Sequence, residues 1–292
     1  MKKVFLCIAI ASTLFLLFKT QKGKIVSNQL KGIVQNTVSN SNNYINKEGN
    51  SIKTRVLIPE GYTRTTYKKD SFEEYLRNYS LKAYGSPIIN YDGSEYFAQH
   101  WHDAILEIPV PKNGLQQCAD ALMRIRSEYL WDHNRKNEIG FKFTSGHYCS
   151  WKEYSKGYRP KVNGNKVSFH KTATADNSKK NFYKYLNLIY MYAGTLSLHT
   201  ELPKVPLSKI KIGDMLVKPG TPGHIEIIID EVINDKGEKL FLLAQGNTPA
   251  QNVCLLKNFE EPDISPWYTF NENTPVYTPS YHFDKPIFVR FK

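Results

Sequence analysis

Cysteine is scarce in this chain, which has four in 292 residues, at positions 7, 118, 149 and 254. Cys7 falls in an apolar N-terminal run, so three remain for a folded body. An odd number excludes a complete disulfide framework and leaves at most one pair plus one free thiol. P-loop, dinucleotide-fingerprint and HExxH strings are absent, which disfavours nucleotide-driven and zincin chemistry. There is no internal repeat and no long low-complexity tract, which excludes solenoids and collagen-like rods. His100, His102, His147 and Cys149 are metal-ligand types, but no paired spacing demands a metal. Solvent-facing histidines are the simpler reading, and no metal or other cofactor is expected.

What is present is apolar mass and positive charge. Hydrophobic residues make up 41% and aromatics 13%, enough for a sizeable core. The net charge is +12, or +9 once Lys2, Lys3 and Lys19 are set aside. A basic balance favours anionic envelope polymers or membrane surfaces as partners, and a solvated basic face serves equally well as explanation. Nucleic acid is not expected, because no binding motif accompanies the charge.

Lys2 and Lys3 precede an uncharged, mostly apolar run from Val4 to Phe18. That length suits a signal-peptide core and is short for a spanning helix. Residues 1–19 are therefore read as an export signal or uncleaved anchor, which places the protein in the periplasm or on the membrane facing it. Residues 20–50, rich in Asn, Ser, Lys and Gly, read as a polar linker. Membrane contact is expected only through the N-terminal segment. Residues 51–292 are read as one globular α+β domain of roughly 240 residues.

Within it, Ser71 and Glu74 have capping-box spacing ahead of Phe72, Tyr75 and Leu76. Asp92-Gly93 marks a turn between two strands, and 104–110 reads as a core strand. Leu115, Cys118, Leu122, Ile125 and Tyr129 recur at helical spacing and predict a helix over 115–131. Residues 180–192 predict a second helix with Gly194 as its C-terminal cap. Residues 163–177 read as a polar loop or weak hairpin. KIGDMLVK, HIEIIIDEVI, KLFLLAQ and NVCLLKNF follow as strands.

Across 181–247 the order is a helix ending in AGTLSL, then IGDMLV, PGHIEIIIDEV and FLLAQGN. This order resembles NlpC-type papain-like peptidases and amidases of bacterial peptidoglycan. The resemblance implies a papain-like core over about 178–260, with His224 as base and Gln245 as the residue that orients it. The residues themselves are compatible. Gly223 permits a sharp turn, so that His224 opens its strand at a site edge. Alternation puts Ile225, Ile227 and Ile229 on one face and His224, Glu226 and Ile228 on the other. An imidazole paired with a thiolate needs a third group to fix its tautomer and aim.

The departure concerns the nucleophile. Counting back from Gly194, the family's cysteine falls near Phe182, and no Cys, Ser or Thr lies between Asn181 and Ala193. The first expectation is therefore a non-catalytic module that binds peptidoglycan or another glycan. The alternative is an active thiol hydrolase of cell-wall peptides in which Cys118, near the start of a helix, serves with His224. Apolar spacing also allows Cys118 and Cys254 as plain core residues. A third possibility is a purely structural envelope protein. Trp151, Tyr154, Tyr158 and Arg159 are candidates for stacking on sugars, with satellite core packing as the competing reading. Trp267-Tyr268 shares that ambiguity.

SFEEYLRNYSLK, YDG, LQQCADALMRIRSEYLW, FKFTSG, YAGTLSL and SPWY give a second resemblance, over nearly the whole chain. They are similar to a family of exported bacterial proteins, common in Bacteroidetes, known as domain of unknown function 4846. That resemblance implies one unit rather than two domains, and no activity.

Overall fold

The computed structural model describes residues 44–292, so the apolar N-terminal run and residues 20–43 of the expected linker lie outside the described residues. Among the described residues no helix is long and apolar enough to cross a membrane. The fold begins earlier than the polar composition suggested. Ile45 is buried and bridges Val56. The Asn and Ser residues that read as linker act as turns and caps: Asn46 Oδ1 accepts the Glu48 N–H, and Ser51 caps helix α1 (Ile52–Arg55).

Five further helices follow: α2 (Phe72–Arg77), α3 (Cys118–Asp132), α4 (Trp151–Ser155), α5 (Lys179–Tyr192) and α6 (Thr195–Glu201). The main sheet has eight antiparallel strands. They are β1 (Tyr62–Arg64), β2 (His102–Ile105), and then, beyond two small hairpins, five strands in one stretch and a last one near the C-terminus. The hairpins pair β3 (Gly140–Lys142) with β4 (Tyr148–Ser150), and β5 (Tyr158–Asn163) with β6 (Lys166–Lys171). The stretch holds β7 (Lys204–Val205), β8 (Asp214–Lys218), β9 (His224–Asn234), β10 (Lys239–Gln245) and β11 (Cys254–Leu256). A further two-stranded unit joins β12 (Val276–Tyr277) to β13 (His282–Phe283), and β14 (Phe288–Arg290) returns to the sheet. The spatial order is β2-β11-β10-β9-β8-β14-β7, with β1 on the far half of β9. The architecture is α+β, with helices against one continuous antiparallel sheet.

Strand β9 is the spine of the fold. It pairs with β8 through 224–227, with β1 through 232–234, and with β10 on its other edge. Nine of its eleven residues are buried, including His224, Glu226, Asp230 and Glu231. Both faces are covered, so alternation along it does not separate core from solvent, and a register shift opposite Leu242/Leu243 breaks the alternation after Ile228. Helix α3 packs across β9 and β10, and twelve of its fifteen residues are buried. That explains why its apolar positions exceed a single stripe.

Several expected elements changed character. The strand expected over 104–110 is β2, ending at Ile105, and Leu106 only bridges Leu81. Gly194 is not a C-terminal cap: its φ of −177° is extended backbone, and it leads into α6. The segment 151–155, which holds two of the candidates for stacking on sugars, is a helix and not an open loop. Ser150 caps it by accepting the Glu153 N–H, which makes a short helix that turns Trp151 and Tyr154 into the core.

The buried acids of β9 are matched by cations from outside the sheet. Asp230, fully buried, takes Arg64 Nε and Arg77 Nε, each at 2.7 Å. Removing the carboxylate leaves Arg77, itself almost inaccessible, with only the partly exposed Glu74 at 3.0 Å as a charge partner and takes away its buried one. Asp230→Ala is expected to cost about 3–5 kcal/mol in urea unfolding. A loss below about 1 kcal/mol would show that the pair is not needed to hold α2 on β9.

Candidate functional site

The site is built where the first turn of α3 meets the open end of β9. Gln117 is the residue before the helix, and the Asp120 side chain folds back to accept its backbone N–H at 3.0 Å. Cys118 is thus the first helical residue, where unpaired backbone N–H groups concentrate positive potential. Gly223 then lets the β8–β9 connection close tightly. A Cβ there would lie 2.3 Å from Thr195 Oγ1 and 2.5 Å from the Gly220 carbonyl oxygen, so only glycine fits.

His224, 1% exposed, opens β9. Its Nε2 lies 2.6 Å from Gln245 Oε1, an oxygen that also accepts the Ser280 hydroxyl at 2.6 Å. A carbonyl oxygen only accepts, so this contact makes Nε2 the protonated nitrogen. Nδ1 is then the nitrogen left for Cys118, which is within hydrogen-bonding reach of the ring. Tyr281 stacks on the imidazole with ring centres 4.6 Å apart and planes at 18°.

Glu226 adds a negative charge that sequence reasoning did not assign to the site. It is fully buried, and its Oε1 lies 3.5 Å from His224 Nε2 while accepting the Thr278 hydroxyl at 2.7 Å. Its Oε2 has no hydrogen-bond partner among the described residues. Burial alone would lower the His224 pKa, but hydrogen bonds and charge from Cys118 and Glu226 outweigh it and raise the pKa to about 10. The imidazole is therefore held as imidazolium at neutral pH, between the Cys118 sulfur and a carboxylate. The same network can hold a proton for transfer at Nδ1 and fix the ring that carries it.

Cys118, His224, Ser280 and Tyr281 line a cleft of about 680 Å³, whose lining also includes Tyr96, Trp101 and the largely exposed Phe97, while Gln245 and Glu226 lie behind the imidazole. A second cavity of about 600 Å³ lies toward the other end of α3, by Arg126 and Arg135, and does not include the imidazole. Among the described residues no cluster of three or more His, Cys, Asp or Glu is placed to hold a metal.

The structure brings three sequence-named residues together: Cys118, His224 and Gln245. It does not bring Phe182 there. Phe182 is buried with its ring 4.6 Å from Trp131, at the far end of α3 and about 20 Å along the helix from Cys118. The proposed seat of a lost nucleophile is therefore a core position, and the helix beside His224 is α3 instead. The four glycan-binding candidates form no open shelf. Trp151 and Tyr154 are 2% and 7% exposed, while Arg159 stacks over Tyr154 at 3.6 Å and donates to the carbonyls of Tyr154 and Tyr158. Trp267 and Tyr268 are likewise buried. Cys149 and Cys254 are free thiols that burial pushes up to about 12, which leaves them protonated and unreactive.

Fold and site together define an α+β protein with a cysteine–histidine pair at a helix–sheet junction. A family model described as Domain of unknown function (4846) matches residues 52–290, and the chain belongs to that family. No curated protein and no solved structure matches it.

Two outcomes follow from this geometry. In Glu226→Gln the charge opposite the ring is gone, so the His224 pKa, followed by NMR, is expected to fall by about one unit or more. Because the folded-state pKa is raised, the stability it contributes is full below the ordinary histidine value and is lost as pH rises toward 10. The wild type is thus expected to lose stability between neutral pH and 10 more steeply than Glu226→Gln, and parallel profiles would contradict the ion pair. Gly223→Ala is expected to displace the loop that carries His224 and to cost about 1–3 kcal/mol in thermal unfolding. Unchanged stability would mean that the close approach to Thr195 is not needed.

Proposed function

We propose that the protein is a thiol hydrolase of amide bonds with a papain-like (NlpC-type) core, in which Cys118 is the nucleophile and His224 its acid and base. The observation that carries this reading is that His224, held from behind by Gln245, meets Cys118 in one cleft at the start of a long helix. The non-catalytic reading rested on Phe182 standing in the nucleophile's place, and that support is gone.

The chemistry runs through this chain's own atoms. The Cys118 sulfur, its proton already carried by His224 Nδ1, attacks the amide carbonyl and a C–S bond forms. The carbonyl oxygen becomes an oxyanion near the backbone N–H groups at the start of α3. Gln117 lines the same cleft; its Oε1 accepts the Thr248 hydroxyl at 3.0 Å, so its amide NH2 is the end of that side chain that can serve as a further donor. His224 gives its Nδ1 proton to the leaving amine as the C–N bond breaks, which leaves a thioester. Water, deprotonated by the same nitrogen, cleaves the thioester and returns Cys118. Gln245 holds Nε2–H throughout, and Glu226 balances the imidazolium.

Resemblance to the NlpC-type peptidases points to peptide amide bonds of peptidoglycan as the substrate class. The Lys-led apolar N-terminal run supports export to the periplasm, where that polymer is found. Incubation of the purified protein with peptidoglycan is expected to release new amino groups. Cys118→Ala and His224→Ala are each expected to lower the rate by about a thousandfold or more. Equal release by Cys118→Ala would remove the hydrolase reading.

A further inference from the structure

Asp120 is the one acidic side chain among the described residues that line the dyad cleft, and the mechanism above does not use it. The residue is 6% exposed. Its Oδ2 is engaged by the Gln117 N–H, while its Oδ1 is buried with no hydrogen-bond partner among the described residues. A carboxylate oxygen in that state is costly unless a donor reaches it. Arg124, the nearest cation on its own helix, turns away to Pro109 O, Gln116 Oε1 and Glu128. Across from Asp120 on the same cleft stands Tyr190 of α5, a buried side chain with a polar tip.

We propose that this end of the cleft is an ammonium subsite: the substrate carries a protonated amino group, received by Asp120 beside Tyr190, close to the amide presented to Cys118. This rests on reading Cys118 as the attacking thiol and adds what the cleft selects. Residues two apart on a helix have α-carbons about 5.5 Å apart, so the amino group belongs within about one residue of the scissile bond. The predicted substrate class is an amide whose acyl part bears a free amine, such as a peptide cut close to its amino terminus. The molecule as a whole is strongly basic, so it does not gather cations by its general field. Burial pushes the Asp120 carboxyl up to about 7, so it ionises as an ammonium pairs with it and rejects acylated amines, which bring no charge.

Methanethiosulfonate reagents test this without relying on hydrolysis. The Cys118 sulfur displaces methanesulfinate and forms a mixed disulfide, with the 2-aminoethyl reagent delivering an ammonium and the methyl reagent no charge. Rates at Cys118 are read by peptide mass spectrometry and divided by those of free cysteine. The cationic-to-neutral ratio is expected to be about tenfold or more in the wild type and to fall to within about twofold in Asp120→Asn, which keeps an oxygen for the Gln117 N–H. Tyr190→Phe, which keeps the ring, is expected to give an intermediate ratio and serves if Asp120→Asn does not fold. A wild-type ratio near one, or one unchanged in both variants, would overturn the subsite and leave the nucleophile standing. A Cys118 that reacts with neither reagent would remove both readings.

Discussion

Everything at the site depends on a histidine buried almost completely at the head of the central strand. A buried imidazole would normally stay neutral, because desolvation penalises its charged form. Here the Cys118 sulfur on one side and a fully buried carboxylate on the other reverse that balance. The sheet makes this possible. Strand β9 is long enough to anchor its far half with β1 and the Arg64–Asp230–Arg77 cluster while its near end opens into the cleft. The segment 278–281 then closes over the ring with Tyr281, Ser280 and Thr278, each tied to the imidazole or to one of its partners.

The helix contributes as much as the strand. Helix α3 is almost entirely buried, so its first turn cannot drift relative to β9 and β10. Gln117 and Asp120 fix the point at which it begins. A thiol at that first turn combines a rigid position with the favourable end of the helix dipole. This is the physical basis for proposing Cys118 as a nucleophile, and it contrasts with Cys149 and Cys254, which have burial without a base.

Much of this was legible in the sequence, and the exceptions share a cause. Periodicity located both long helices within a few residues, because their apolar spacing is local. Gly223, His224 and Gln245 were readable from the order of short strings. Phe182 was misplaced because counting back from Gly194 assumed that the helix before AGTLSL faces the histidine, whereas an earlier helix does. Glu226 stood in plain view at the position two after His224, but alternation alone does not say that both faces of β9 are covered. Ser280, Thr278 and Tyr281 come from a segment more than fifty residues after His224, and nothing local announces where that segment folds back. Trp151 and Tyr154 looked like an exposed platform only because the Ser150–Glu153 cap was not recognised.

The central claim is that His224 activates Cys118, and the most direct measurement is the alkylation rate of Cys118 by iodoacetamide at about pH 6.5, where an ordinary thiol is almost wholly protonated. The account predicts that the wild type reacts at least about tenfold faster than His224→Ala, with Cys149 and Cys254 left unmodified in both. Equal rates at Cys118 with and without the imidazole would contradict it.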